Sequence, residues 1–165
     1  MKFHNCHHTN EGETPLLGAA FNGHLDVYKA IMQKVVDKNP RTGVNGFTPL
    51  DAAASRGHLD ICKLIIKHLN MKNPKRNSDG MTPFHFAALN GHLEICNMFI
   101  ENLEDKNPRA NDGWTPLHYA AKYGHIQVCT LIVKFLREKN PRTNDGATPH
   151  ELMVNFSLRV FQPKP

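Results

Sequence analysis

The sequence predicts an all-α fold, a solenoid made by stacking one helix-turn-helix unit several times. The phrase Gly-x-Thr-Pro recurs at intervals of 34, 34, 33 and 33 residues, and four of its five copies are followed by an Ala-Ala and then a Gly-His pair. A fixed period of this length indicates a chain built from one repeated supersecondary unit. The five copies open at Gly12, Gly46, Gly80, Gly113 and Gly146.

This period divides the chain into three segments. Residues 1–11 form an N-terminal segment that we expect to be frayed, residues 12–155 form the repeat array, and residues 156–165 form a C-terminal tail. The units of the array span residues 12–45, 46–79, 80–112 and 113–145, with a partial fifth unit at 146–155.

Each unit should begin with a short helix. A threonine followed by proline and an apolar stretch is the order expected of a helix start, with threonine as the N-cap and proline at the first helical position. The Ala-Ala pair keeps helix propensity high while its side chains stay small, and the glycine of Gly-His tolerates the left-handed backbone just past a helix end. The capping threonines are Thr14, Thr48, Thr82, Thr115 and Thr148, and the terminating glycines are Gly23, Gly57, Gly91 and Gly124.

A second, longer helix should follow each Gly-His pair. In the fourth unit Ile126, Cys129, Ile132, Val133 and Leu136 recur at spacings of three and four, which marks one helical face. Neighbouring apolar residues widen this face, as burial between two stacked repeats requires.

The stretch TPLHYAAKYGHIQVCTLIVKFL and its counterparts resemble ankyrin repeats over about residues 12–155. The resemblance implies units of two antiparallel helices and an outward hairpin-like loop, stacked into a curved solenoid. The chain departs from the family pattern where helix formers replace the Gly-Ala pair that normally ends the second helix. Because proline disfavours helix at the residue before it, we expect the second helices to continue to the Asn-Pro pairs. These pairs lie at residues 39–40, 73–74, 107–108 and 140–141.

Most of the histidines are explained by the repeat. His24, His58, His92 and His125 follow the terminating glycines, whereas His85 and His118 stand three residues after a capping threonine. The latter two resemble the ankyrin histidines that hydrogen-bond between adjacent loops. An active site needs different groups that converge, whereas these are copies of one group along a rod. We therefore predict no catalytic residue, no cofactor and no enzymatic activity.

Acidic residues replace the second histidine in two units. Asp51 and Glu151 each stand three residues after a capping threonine, where a carboxylate can close a capping box. Leu17, at the same position of the first unit, loses this polar link.

Two further sets of side chains could carry chemistry. His4, Cys6, His7 and His8 lie together near the N-terminus, but their spacing matches no structural zinc pattern, so we predict no metal site. The cysteines Cys62, Cys96 and Cys129 occupy one place in successive repeats. Stacked helices lie about 8–10 Å apart, too far for a disulfide, so these should be reduced core thiols.

Composition narrows the classes of partner. The chain has no long apolar run that predicts a membrane segment, and its N-terminus lacks the apolar part of a secretory signal, which indicates an intracellular, cytoplasmic or nuclear location. The net charge is +5, but the basic connectors also carry many carboxylates, which disfavours nucleic-acid binding. We expect a monomer whose partner is another protein.

One modification is suggested by the resemblance. Asn107 and Asn140 align with the connector asparagine that an asparaginyl hydroxylase modifies in many ankyrin proteins, and Asp105 or Glu138 supplies an acid two residues before. The proline that follows each asparagine departs from the usual small residue.

Partner binding should depend on exposed positions that differ between repeats. In ankyrin proteins the residue after the opening glycine and the two before the terminating glycine face the concave groove, so Phe47, Met81 and Trp114 would stand side by side in three loops. The flanking candidates are Arg56, Leu89, Lys122 and Tyr123. Aromatic residues, methionine and arginine are enriched in interfaces, which predicts a non-catalytic scaffold that binds a protein in this groove. The alternative is that Phe47 and Trp114 only pack between loops.

A second function remains open. The chain could be part of a longer protein in which the repeats are the targeting arm of an enzyme, a channel or a ubiquitin-ligase adaptor. The fifth unit has no second helical pattern, and the sequence TNEG before the first Thr-Pro resembles the end of a preceding connector. Stacks need polar terminal units, so the ends of the array would distinguish the two functions.

Overall fold

The computed structural model describes residues 14–43, 45–69, 73–76 and 78–160. All regular elements in these ranges are helices. The helices are α1 Pro15–Phe21, α2 Leu25–Met32, α3 Pro49–Arg56, α4 Leu59–His68, α5 Pro83–Leu89, α6 Leu93–Asn102, α7 Pro116–Lys122, α8 Ile126–Phe135 and α9 Pro149–Val160. An isolated antiparallel bridge joins Thr42 and Phe47 at the base of one described loop.

The helices form two layers. The first layer consists of α1, α3, α5, α7 and α9, which contact one another in series, and the second layer consists of α2, α4, α6 and α8, which do the same. Each of the first four first-layer helices also packs against the second-layer helix that follows it in the chain. The predicted all-α solenoid of helix pairs is therefore confirmed.

Small side chains bring the first layer close to its neighbours. Ala20, Ala54, Ala88 and Ala121 are all completely buried. Larger apolar side chains fill the space between the two layers, where the ring of Phe84 on α5 stacks on that of Phe99 on α6 with their centroids 5.5 Å apart. The core is continuous from one unit to the next.

The three repeat-locked cysteines lie in this core as free thiols, as predicted from their spacing. They are Cys62, Cys96 and Cys129. Burial raises the pKa of the Cys129 thiol to about 11, so it stays protonated at neutral pH and is a weak nucleophile. Cys6 lies outside the described residues.

The threonine caps are also confirmed. In the second unit, Thr48 Oγ1 accepts a hydrogen bond from the Asp51 backbone N–H at 3.2 Å, and Asp51 Oδ2 accepts from Thr48 N–H at 2.9 Å. Glu151 closes the same capping box with Thr148, whose N–H lies 3.0 Å from Glu151 Oε2. The other N-caps are Thr14, Thr82 and Thr115.

The predicted extension of the second-layer helices is wrong. These helices end at Met32, His68, Asn102 and Phe135, several residues before the Asn-Pro pairs. In the last three, the residue after the helix is a leucine with extended backbone, which packs its side chain against the core. Burial of that leucine outweighs the helix propensity of the residues that follow it.

Connector lysines complete two of these helix ends. Lys38 Nζ donates to the backbone carbonyls of Met32 and Val35, and Lys106 Nζ makes the equivalent pair of bonds in the third unit. Carbonyls at a helix C-terminus have no partner within the helix, and a cation there interacts favourably with the helix dipole. Part of the positive charge of the connectors therefore stabilises the fold.

Histidines join neighbouring units. His58 Nε2 lies 3.1 Å from the carbonyl oxygen of Phe21, and His92 Nε2 lies 2.9 Å from that of Ser55. A carbonyl oxygen only accepts, so Nε2 carries the proton in both rings. His125 makes the same bond to Leu89 at 2.9 Å. These histidines are structural, as their repetition predicts.

The helix α9 ends the described stack in a different way. Serine replaces the terminating glycine at position 157, and the helix continues past it to Val160, across residue 155, where the sequence analysis divides array from tail. Phe156 of α9 lies over Gly124, where an added Cβ would come within 2.2 Å of its ring. In earlier units the rings of His58, His92 and His125 cover the glycine.

Candidate partner-binding surface

The Gly-x-Thr-Pro loops and the first-layer helices form what we call the loop–helix surface. Phe47, in the loop before α3, packs edge-on against Phe86 of α5, with ring centroids 5.6 Å apart and an angle of 85°. Both rings are half-buried. Phe47 therefore links the second unit to the third and also leaves part of its ring accessible.

The next loop is arranged in the same way. Met81 is only 9% exposed, and its sulfur accepts a hydrogen bond from the Tyr119 hydroxyl of α7 at 3.7 Å. Burial raises the pKa of Tyr119 to about 12, so the phenol stays neutral. Trp114 also packs against this tyrosine, with ring centroids 5.0 Å apart.

Cations lie over several of these rings. The Arg76 guanidinium is 5.8 Å from the centroid of Phe47 and 5.0 Å from that of Phe86, and it forms an ion pair with Asp79. The hydrogen bonds and charge of Arg76 contribute to holding the pKa of Asp79 below its ordinary value, against the effect of partial burial. Arg76 therefore connects the loop that contains Asp79 to Phe86 of α5.

Two further cations lie at the C-terminal ends of first-layer helices. Lys122 Nζ is 4.9 Å from the Trp114 centroid and 5.7 Å from that of Tyr123. Arg56 lies 3.9 Å above the ring of Phe21. The exposed fractions are 47% for Tyr123 and 42% for Phe21, so these rings offer apolar area to a ligand.

The predicted binding residues fall into separate groups. Trp114, Lys122 and Tyr123 lie together around α7. Phe47 and Met81 each contact the first-layer helix of the following unit, whereas Trp114 contacts His118 and Tyr119 of its own unit. Arg56 lies with Phe21, and Leu89 is half-buried.

This surface contains three residues that the sequence pattern did not predict: Phe86, Tyr119 and Arg76. Phe86 and Tyr119 stand four residues after a capping threonine, a position that varies strongly between units. Its occupants are Gly18, Ala52, Phe86, Tyr119 and Leu152. Phe47 and Trp114 were predicted because their position varies between units. The same criterion, applied to this position, identifies Phe86 and Tyr119.

Buried polar side chains behind the surface hold the loops in place. His85 Nδ1 accepts from the Thr82 backbone N–H at 3.0 Å, and its Nε2 lies 3.2 Å from the carbonyl oxygen of Trp114 in the next loop. Burial lowers the pKa of His85 to about 4, so the ring is neutral. His118 bonds in the same way to Ala147, which confirms the expected links between loops.

Asp51 occupies the place of these histidines in the second unit. It is completely buried, and its Oδ1 has no hydrogen-bond partner among the described residues. Burial raises its pKa to about 6. A single buried carboxyl without a second reactive group nearby is a feature of loop packing, and it provides no catalytic constellation.

The described residues also bear on metal binding and on membrane insertion. No group of three or more His, Cys, Asp or Glu side chains there is arranged to hold a metal ion. The cluster at His4, Cys6, His7 and His8 lies outside the described residues. None of the described helices is long and apolar enough to cross a membrane.

Comparison with known proteins agrees with this architecture. A family profile described as ankyrin repeats (3 copies) matches residues 2–76 and 65–145. A search of curated proteins gave no match. The profile covers most of the chain, and the structure has the helix pairs stacked in two layers that such repeats are expected to form. This chain therefore belongs to the ankyrin repeat family.

Proposed function

We propose that this chain is a non-catalytic scaffold that binds another protein through the loop–helix surface. Ankyrin repeats are generally protein–protein interaction modules. The observation that favours this surface is the group formed by Trp114, Lys122 and Tyr123, where two aromatic rings and a cation occupy positions that differ between units. Tryptophan and tyrosine are enriched among the residues that dominate binding energy.

The experiment is an affinity capture from cell extract with the intact chain and two matched double variants. Lys122→Ala with Tyr123→Ala removes an exposed lysine and aromatic ring of the loop–helix surface. Lys134→Ala with Phe135→Ala is the control, because this pair on α8 also places Nζ 5.7 Å from an exposed ring. Circular dichroism and thermal unfolding of each variant establish that the stack is intact.

Proteins retained by wild type and by the α8 variant should be lost from the Lys122/Tyr123 variant. Truncating a central aromatic anchor typically costs 2 kcal/mol or more, about 30-fold in affinity. Equal capture by both variants, with both folded, would show that binding does not use this surface.

The remaining parts of the proposal follow from the same features. We infer that the chain acts as a monomer without a cofactor, and that it is intracellular, in the cytoplasm or nucleus. Support for the location comes from the three buried free thiols, since disulfides are the rule in small domains of oxidising compartments. Support for the absence of catalysis comes from the structural roles of the repeat-locked histidines.

We also propose that Asn107 and Asn140 are substrates of an asparaginyl hydroxylase. Their side-chain oxygens accept hydrogen bonds from the backbone N–H groups of Leu117 and His150, each at 3.1 Å. Each asparagine thus ties a connector to the helix of the next unit. The intact mass of the chain expressed with the hydroxylase should increase by one or two oxygen atoms, and an unchanged mass would contradict this modification.

A further inference from the structure

The first-layer helices carry few charged side chains. On α1, α3, α5 and α7 the exposed charges are Arg56, the last residue of α3, and Lys122, the last residue of α7. The other charged residue of these helices, Asp51, is completely buried. The C-terminal ends of these four helices therefore present two cations and no exposed carboxylate.

Neither cation is paired with a carboxylate within the part of the chain that the structure describes. Arg56 lies over Phe21, and Lys122 lies beside Trp114 and Tyr123. A cation over an aromatic face keeps its full charge, and its outward N–H groups can still bond to an anion. Both sites combine a cation with exposed apolar area.

Carboxylates of the neighbouring loops are already engaged. Asp79 pairs with Arg76, and Asp112 Oδ1 accepts from the Trp114 backbone N–H at 3.0 Å. The last residues of α3 and α7 lie about 10 Å along the helix from these loops, for helices of about seven residues, whereas the Lys122 side chain reaches back to Trp114. Neither Arg56 nor Lys122 forms an ion pair with Asp79 or Asp112.

The spacing of the cations defines the shape of a ligand. Two repeats separate α3 from α7, and neighbouring helices lie about 8–10 Å apart, so the helices that carry Arg56 and Lys122 are about 16–20 Å apart. An extended peptide covers this distance in about five or six residues, at about 3.3 Å per residue. The half-buried Leu89 of α5 lies between them in the array, where it would meet an apolar side chain.

We propose that the partner binds as an extended acidic peptide segment, with one carboxylate on Arg56, a second about five or six residues away on Lys122, an apolar side chain between them on Leu89 and another beside Lys122 on Tyr123. This rests on the proposed function, because it uses the same loop–helix surface. Because opposite charges attract, Arg56 and Lys122 should favour acidic over basic segments.

The experiment is selection of a random peptide display library on the immobilised full chain. Wild type is compared with Arg56→Glu/Lys122→Glu, and with Lys63→Glu/Lys134→Glu as a control that reverses two exposed lysines of the second layer. Arg56→Gln/Lys122→Gln is included because neutral side chains disturb helix ends less. Binding of a selected peptide is then measured by the fluorescence of Trp114, the single tryptophan.

Wild type and the second-layer control should enrich peptides with two acidic residues five or six positions apart. The Glu variant should enrich basic peptides, and the Gln variant should bind the wild-type peptide at least tenfold more weakly. The inference would be overturned if the selected peptides showed no charge preference, or if the Glu variant selected the same acidic peptides as wild type. The proposed function would still stand in that case if Tyr123→Ala abolished binding of the selected peptides. If Tyr123→Ala leaves their binding unchanged as well, both proposals fail.

Discussion

Asp51 shows how one residue can differ from its counterparts at an otherwise repeated position. His85 and His118 use one ring nitrogen for the capping threonine and the other for the next loop. Asp51 makes the first of these contacts but not the second, since Oδ1 has no partner in the described residues. A buried, ionised oxygen without a hydrogen bond is costly, which explains why the pKa of Asp51 rises to about 6.

Asp51→Asn should therefore stabilise the chain at neutral pH. The folded-state pKa of about 6 lies above the ordinary 3.8, so wild type loses stability as pH rises from about 4 to above 6. An amide keeps an oxygen acceptor for Thr48 and has no charge to bury. The free energy of unfolding of the variant should exceed that of wild type by up to about 3 kcal/mol at pH 7.5, with no gain at pH 4.

Urea unfolding of both proteins between pH 4 and pH 7.5 measures this difference. Asp51→Ala is the control, because it removes the capping box and should be less stable than the Asn variant at every pH by about 1 kcal/mol. A constant difference between Asp51→Asn and wild type across this range would show that Asp51 does not titrate in it.

At the scale of elements, α9 is the helix that departs most from its counterparts. It packs against α7, and no second-layer helix follows it among the described residues. The contact of Phe156 with Gly124 replaces a histidine bond by an apolar one. Gly124 has a φ of 74°, a backbone conformation that favours glycine, so the ring can lie directly on the backbone.

Phe156→Ala should loosen α9 before the rest of the stack. The Phe156 side chain is half-buried, so its removal should lower the free energy of unfolding by about 1–2 kcal/mol. Removal of a fully buried phenylalanine typically costs about 3–5 kcal/mol. Hydrogen exchange should become faster in α9 and change little in α3 and α5. Ser157→Ala, on an exposed neighbour, is the control; equal exchange rates in both variants would contradict a docking role for Phe156.

At the scale of the whole molecule, stability depends on bonds between neighbouring units. Some of these are made by buried histidines that must stay neutral, and burial lowers the pKa of His85 to about 4 and also lowers that of His118. A histidine whose folded pKa lies below its unfolded pKa contributes stability that is present above the unfolded pKa of about 6.5. That contribution is lost as pH falls through the folded value.

The free energy of unfolding should therefore decrease as pH falls from about 6.5 to 4, by up to about 1.4 kcal/mol per pH unit from His85, and His118 acts in the same direction. Asp51 acts in the opposite direction and offsets part of this slope. His85→Gln should show a smaller slope than wild type in chemical unfolding at several pH values. Its lost hydrogen bonds lower stability at all pH values, so an unchanged slope would show that His85 is not a source of the acid sensitivity.

Local patterns were sufficient to predict the repeated elements. Thr-Pro, Ala-Ala and Gly-His determine where α1, α3, α5 and α7 begin and end, because capping, close packing and left-handed backbone depend on residues that are adjacent in sequence. The buried cysteines followed from their register in the period. The capping boxes of Asp51 and Glu151 followed in the same way.

The tertiary structure decided the features that depend on contacts between units. The helices α4, α6 and α8 stop early because Leu69, Leu103 and Leu136 pack against the core, and helix propensity does not include the free energy of this burial. Phe86 and Tyr119 join the loop–helix surface because a loop of one unit meets a helix of the next. The sequence alone determined the unit and its period, whereas the surface left for a partner was decided by stacking, since contacts between units depend on three-dimensional packing.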